Sequence, residues 1–277
     1  MPHAVSTPPE PMLLPNGATL HCVPAAQDNL IWLLEYSPGL VLAVDGPSAE
    51  PVLQYCEQQQ LTWTTILNTH THHDHIGINR DALRRGLTLS VYGCPLRDPI
   101  PGLNHPVTEG DQVCFGDLHA EVWLTEGHID GHICYIFDGL LFCGDTMFAG
   151  GCGYLFDGPP EKMAHSLDRL AALPDNTLVC CAHEYTEDNL RFALSVEPHN
   201  QVLKARFASV IETRGQGRCT LPSTIGEERA TNPFLRSHQP ELLSNLRAQG
   251  VELTSTTRSA VFAATRAHKD SRRYKQV

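Results

Sequence analysis

The sequence predicts a mixed α/β domain over residues 1–184 followed by a smaller helical domain over residues 185–277. Three observations predict it. Apolar strand-like runs alternate with helix-patterned segments through the first two-thirds of the chain. After about residue 185 the texture changes, and every periodic segment reads as helix. Hydrophobic residues make up 42% of the chain, yet no apolar run reaches membrane-span length.

The elements follow in order. NLIWLLEY (29–36) and LVLAVDGP (40–47) are strand-like and separated by a Ser-Pro-Gly turn. SAEPVLQYCEQQQL (48–61) reads as a helix with Ser48 as cap and Pro51 in its first turn. WTTILNTH (63–70) is β-branched and reads as a buried strand, which delivers a histidine cluster into a loop. INRDALRRG (78–86) is a short helix ended by Gly86, and LTLSVYG (87–93) is a strand. HAEVWLTEGH (119–128) and HICYIFDGLLFCGD (132–145) are strand-rich, the second with an Asp-Gly hairpin turn. EKMAHSLDRLAALP (161–174) has helical spacing, and TLVCCAHEY (177–185) is a last short strand. Helix-like segments then cover 186–196, 197–215, 239–250 and 256–270, with turns between them.

Composition excludes several classes. The net charge of −11 argues against nucleic acid as a partner, because phosphate binding needs a basic surface. The ten cysteines form no C-x-x-C pair and no disulfide framework. The opening MPHAVSTPPEPMLLPNG has no basic start and no apolar stretch of signal length, so it reads as a loose leader. The expectation is a cytoplasmic monomer with reduced, packing cysteines and no membrane association.

The densest chemistry lies in NTHTHHDHIG, residues 68–77. His70 and His72 are two apart at a strand end, so their side chains point the same way. Asp74 and His75 follow in the loop, and Gly77 lets the loop close before the next helix. Two imidazoles for one metal and a carboxylate plus an imidazole for a second suit zinc or another first-row ion. His73 falls on a spacer position. Such a cluster needs partners to complete two metal shells, and three appear at other strand ends: His128 in TEGHIDGH, Asp145 in LFCGDTMF and His183 in CCAHEY. Strand ends in a layered sheet converge on one rim.

THTHHDH, GHIDGH, CGDT and HEY, in this order and at these distances, resemble the metallo-β-lactamase superfamily. FAGGCG, HEYTEDNLRFALSVEP, NPFLR and the R-x-x-K-D of Arg266 to Asp270 make the chain resemble, within it, the hydroxyacylglutathione hydrolases, glyoxalase II. The resemblance implies an αββα sandwich with a binuclear site on its edge and a helical domain that helps hold the substrate. It implies a first metal on His70, His72 and His128, a second on Asp74, His75 and His183, and Asp145 bridging them. Asp74 and Asp145 are expected to be catalytic as well as ligating, and His132 to support rather than ligate. The cofactors expected are two divalent ions, Zn2+ first, with iron or manganese suited to the same ligands. The family often has threonine where Ile129 stands. Cys143 and Cys152 are expected to be packing thiols.

The resemblance implies hydrolysis of S-(2-hydroxyacyl)glutathione thioesters, such as S-D-lactoylglutathione, by a metal-bound hydroxide, and the physics of such a site fits thioester hydrolysis. A metal-bound water ionises near neutral pH, and a metal polarises the carbonyl. The leaving thiolate needs little help. The substrate is anionic, so the resemblance implies a cationic pocket with Arg266 and Lys269 on a glutathione carboxylate and Tyr185 as a further contact. Many relatives carry a basic residue after Gly-Cys-Gly; this chain has Tyr154 there, expected to line the pocket, with Phe156 close by. The alternative is a glutathione persulfide dioxygenase of the same fold with a single iron. Such enzymes generally lack the helical C-terminal extension.

Overall fold

The computed structural model of the protein describes residues 4–276. Its first sheet contains β1 (Met12–Leu13), β2 (Thr19–Ala25), β3 (Asn29–Ser37), β4 (Leu40–Val44), β5 (Thr62–Leu67), β6 (Ser90–Gly93) and β7 (His105–Pro106), in that spatial order. β1 to β4 pair antiparallel and β4 to β7 parallel. The first two parallel crossovers run through α1 (Glu50–Gln59) and α2 (His73–Arg84), as parallel pairing demands.

The second sheet opens with an antiparallel meander, β8 (Gln112–Phe115), β9 (Leu118–Leu124), β10 (Ile133–Phe137) and β11 (Leu140–Gly144). A small hairpin, β12 (Met147–Phe148) and β13 (Gly151–Cys152), and helix α3 (Pro160–Ala171) follow. β14 (Leu178–Cys181) then returns parallel to β11. Beyond it come α4 (Thr186–Val196), α5 (Gln201–Gly215), β15 (Ser223–Thr224), α6 (Ile225–Thr231), α7 (Pro240–Ala248), α8 (Arg258–Asp270) and a 3-10 turn at Arg273–Gln276.

β3 shows why these strands form a sandwich. Leu30, Trp32 and Leu34 face a core shared with Val122, Tyr135 and Phe142 of the second sheet. Ile31 and Leu33, on the opposite face, pack with Val52 and Cys56 of α1 and Ile76, Ile78 and Ala82 of α2. Met163, Leu167 and Leu170 of α3 close the far side of the shared core. The layers are helix, sheet, sheet, helix, as expected. Each fully buried aliphatic side chain contributes about 1.5–3 kcal/mol, so a sheet buried on both faces is a rigid platform for whatever its strand ends carry.

Several local expectations are corrected. Ser48 does not cap α1; the cap residue is Ala49, and its N–H donates to Asp81 Oδ2 at 3.0 Å, so a carboxylate from α2 does the work of a cap. α2 starts at His73, not at Ile78, so Asp74 and His75 lie in its first turn rather than in a loop. Gly77 sits inside that helix. A Cβ there would lie 2.1 Å from the Pro47 carbonyl oxygen, so glycine is required by close packing, not by loop closure. β5 ends at Leu67, three residues before His70. β2, β8 and α6 were not foreseen. The first three residues of the leader lie outside the described residues, and Met12–Leu13 is not loose but pairs with β2.

The chain after residue 185 is predominantly helical, as expected, but shares the main core. β15 pairs with β14, α8 packs on α3, and Phe192, Phe234 and Phe262 belong to the same apolar cluster as the two sheets. Among the described residues no helix is long and apolar enough to cross a membrane.

Candidate metal centre

β5, β11 and β14 end at one edge of the sandwich, and the segments that follow them bring the expected residues together. His70 and His72 follow β5, Asp145 follows β11 directly, and His183 lies two residues beyond β14. His128 comes from the loop between β9 and β10, and Asp74 and His75 from the first turn of α2. Potential ligand atoms of His70, His72, His128 and Asp145 lie within 4.8 Å of one another; so do those of Asp74, His75 and His183. His73 is 90% exposed and outside both groups, consistent with a spacer.

Asp145 faces both groups. Its Oδ2 lies 3.5 Å from His128 Nε2, and its Oδ1 lies 3.5 Å from His75 Nε2 and 3.4 Å from His183 Nε2. Oδ1 is buried and has no hydrogen-bond partner. Ring nitrogens meet head to head: His70 Nε2 and His72 Nδ1 at 3.1 Å, His128 Nε2 and His72 Nδ1 at 3.0 Å, His183 Nε2 and His75 Nε2 at 3.4 Å. An orphaned carboxylate oxygen among converging lone pairs is the arrangement a divalent cation satisfies. The residues present therefore fit the metal centre.

The imidazoles are aimed by their second nitrogens. His128 Nδ1–H donates to the Tyr154 carbonyl at 2.8 Å, which leaves Nε2 as a lone pair facing the cluster. His183 Nδ1 lies 2.8 Å from Asp28 Oδ1, and His75 Nδ1 3.0 Å from Asp45 Oδ2. The Thr69 hydroxyl donates to Asp45 at 2.6 Å and so meets His70 Nδ1, 3.0 Å away, as an acceptor. Asn29 donates to Asp74 Oδ2 at 3.2 Å. Such outer partners fix tautomer and ring orientation. Asp45 also comes near His70 and His75, but its oxygens are taken by Thr69 and His75, so it orients rather than ligates. Sequence reading missed Asp28, Asn29 and Asp45; only the VDGP turn after an apolar strand hinted at the last.

Electrostatics follow from burial. Burial and neighbouring rings push His70 down, and burial pulls His128 down to about 4, despite Asp145 beside it. Burial opposes protonation of His75 too, but Asp145, Asp45 and Asp74 outweigh it and lift the ring to about 9. Burial likewise opposes ionisation of Asp74, yet His75, the Asn29 amide and His183 hold it down at about 2. The carboxylates thus create a demand for positive charge at this spot.

His132 accepts from the Asp145 N–H at 3.1 Å and stacks on His70, a supporting part. Ile129 is fully buried, and the hydroxyls against His132 come from Thr125 and Thr146 instead. Cys143 and Cys152 are buried, outside the ligand groups, and burial pushes both thiols up.

A cavity of about 680 Å³ runs from His72, His128 and His183 to the end of α8. Tyr154, Tyr185, Arg266 and Lys269 all line it. Tyr185 stacks on His183 with centroids 4.9 Å apart, and its hydroxyl donates to Asp28 at 3.2 Å. Arg266 and Lys269 do not form a solvated helix face. Both are buried, Arg266 on Asp270 and the Cys152 carbonyl, Lys269 on Asn189. Phe156 is 61% exposed and packs edge-on against His72 and His128 at the cavity mouth.

Residues 184–272 match the family model described as hydroxyacylglutathione hydrolase C-terminus, and residues 80–183 the one described as metallo-beta-lactamase superfamily. The chain is 44% identical over 254 residues to a hydroxyacylglutathione hydrolase of Photobacterium profundum, covering 91% of this chain and 99% of the relative. It is 50% identical over 224 residues to one of a Synechococcus species, covering 79% and 89%. Among solved structures, ETHE1 from Myxococcus xanthus is similar with a TM-score of 0.57 at 26% identity, covering 87% of this chain and 94% of that one. The BLEG-1 B3 metallo-beta-lactamase shares the fold, with a TM-score of 0.58 at 24% identity over 78% of this chain and 99% of that one.

Proposed function

This chain belongs to the hydroxyacylglutathione hydrolase family of the metallo-β-lactamase superfamily, and on that premise we propose how its residues carry out the reaction. It is a metal-dependent hydrolase that cleaves hydroxyacylglutathione thioesters to glutathione and a 2-hydroxy acid. S-D-lactoylglutathione is the substrate we assign. The metals are two divalent ions, Zn2+ first, in a cytoplasmic monomer. The observation that carries the assignment is Asp145, whose two oxygens face two separate ligand groups while one of them is buried without a partner.

In this reading His70, His72 and His128 would hold one ion and Asp74, His75 and His183 the other, with Asp145 serving both. Ions bound there supply Lewis-acid polarisation of the thioester carbonyl and activation of the attacking water. The protein's own contribution is orientation. Asp28, Asp45, Thr69 and the Tyr154 carbonyl hold four rings with their lone pairs inward, and Asn29 and the charges around Asp74 keep that carboxylate ionised. Tyr185, stacked on His183, walls the reacting centre. Arg266 and Lys269 make the far end of the cavity positive for the anionic thiol part. We place the substrate-holding domain at residues 185–277, because α8 and the turn after it form that end.

Metal analysis of the purified protein, coupled to hydrolysis of S-D-lactoylglutathione, tests this reading. About two ions per chain and loss of the thioester are expected. A loaded protein without thioesterase activity that consumes oxygen on glutathione persulfide would establish the dioxygenase alternative. The match of residues 184–272 to the hydrolase C-terminus speaks against that alternative.

A further inference from the structure

The cavity holds several cations, and they differ in what they have left to offer a ligand. Arg266 is 4% exposed. Its Nε and Nη2 donate to Asp270 at 3.0 and 2.5 Å, and its Nη1 to the Cys152 carbonyl at 3.0 Å. Lys269 is 8% exposed and bonded to Asn189. Lys275 is paired with Asp188 at 2.7 Å, which also accepts from the Tyr274 hydroxyl at 2.9 Å.

Arg272 is placed differently. It lies just beyond α8 in a left-handed backbone conformation, φ +55°, that a residue with a Cβ adopts uncommonly. It lines the same cavity, is exposed, and its guanidinium reaches the Tyr154 hydroxyl. Among the described residues no carboxylate lies within ion-pair distance of it. Its guanidinium is therefore exposed and without a direct ion pair, where Arg266 and Lys269 are enclosed.

Tyr154 connects this cation to the reacting centre. Its ring packs against the Arg266 guanidinium, 5.2 Å from ring centroid to Cζ, and its hydroxyl meets Arg272. Its carbonyl accepts from His128 Nδ1 at 2.8 Å. One residue thus holds an exposed guanidinium in a set relation to the metal cluster.

We propose that Arg272, steered by the Tyr154 hydroxyl, is the specificity-determining cation of this enzyme and receives a carboxylate of the glutathione part of the substrate. The assignment rests on the reading of the substrate as a glutathione thioester. An exposed guanidinium can meet a carboxylate with two parallel N–H donors without first giving up a buried partner. The chain carries a net charge of −11, so an anionic thiol part with two carboxylates needs such a local cation to enter the cavity. A contact this far from the thioester is present equally before and during the reaction, and so sets binding rather than turnover.

Calorimetric titration with S-methylglutathione, which cannot be hydrolysed, is paired with steady-state kinetics on S-D-lactoylglutathione. Arg272→Ala should weaken Kd and raise KM by roughly tenfold with little change in kcat, the size expected for one charge-assisted hydrogen-bonded contact near solvent. Arg272→Lys should recover part of this loss, and Tyr154→Phe should show a smaller one, about two- to threefold. Amidation of both glutathione carboxylates should shrink the difference between wild type and Arg272→Ala. Equal Kd for wild type and Arg272→Ala, or an undiminished penalty on the amidated ligand, overturns the proposal while the functional reading stands. A metal-loaded wild type that leaves S-D-lactoylglutathione intact overturns the functional reading, and this inference with it, before any variant is compared.

Discussion

His75 Nδ1 and Asp45 Oδ2 lie 3.0 Å apart, both side chains almost completely buried, with Asp45 in a left-handed conformation at φ +54°. The same carboxylate accepts from the Thr69 N–H at 2.8 Å and the Thr69 hydroxyl at 2.6 Å. One side chain at the end of β4 thus sets both the first turn of α2 and the segment carrying His70 and His72. Asp45→Asn keeps the volume but puts an NH2 where an acceptor is needed. Metal affinity should fall by about 10- to 100-fold, the usual effect of losing such a partner. Competition with a chromogenic chelator measures it, and an unchanged affinity would remove Asp45 from the site.

Asp145 and His73 make opposite predictions from one motif-based assignment. Asp145→Ala removes the carboxylate whose two oxygens face the two ligand groups, so metal content should drop and kcat should fall by orders of magnitude. His73→Ala touches a side chain 90% exposed and should leave metal content and kcat near wild type. Elemental analysis after dialysis decides; a metal lost from His73→Ala and retained in Asp145→Ala reverses the assignment.

Gly153 is a steric test of the same centre. A Cβ there would stand 2.2 Å from the Asp145 carbonyl oxygen and 2.8 Å from His128 Nδ1, so Gly153→Ala must push on two proposed ligands at once. Overpacking of this kind costs about 1–3 kcal/mol. Urea midpoints should fall accordingly and metal should bind more weakly. Gly139→Ala, at φ +70° with nothing within 4 Å of the new Cβ, should show backbone strain alone and normal metal content.

Lys269 predicts a pH dependence of stability. Burial, then Arg266, lowers it from 10.5 to about 7, against weaker opposing effects of Cys152, Asp188 and Asp270. Between about pH 7 and 10.5 the unfolded chain binds more protons at this site than the folded one, so stability rises with pH across that window. The penalty for charging the buried amine is fully present below pH 7 and amounts to a few kcal/mol in order of magnitude. Lys269→Met should remove this contribution. Denaturation of both proteins from pH 6 to 10 should show wild type gaining stability relative to the variant as pH rises. Parallel curves would mean that the amine is solvated.

The sequence by itself determined the ligand-type residues, their order and the layered fold. H-x-H-x-D-H and the histidines and aspartate at later strand ends are local patterns, and strand ends meet at one rim in any such sandwich. The continuous apolar run of NLIWLLEY likewise carried the two-faced burial of β3. Only the tertiary structure decided which groups stand behind the ligands and which cations remain available. Asp28 meets His183 from 155 residues away, and Asp45 meets His75 from 30, distances no local pattern encodes. Arg266 and Lys269 share a helix face in sequence, but that face turns inward because α8 packs on α3 and the aromatic core, where buried charges must find partners. Arg272 remains exposed because the chain reverses at a left-handed residue, a feature of the backbone that the side chain at position 272 does not announce.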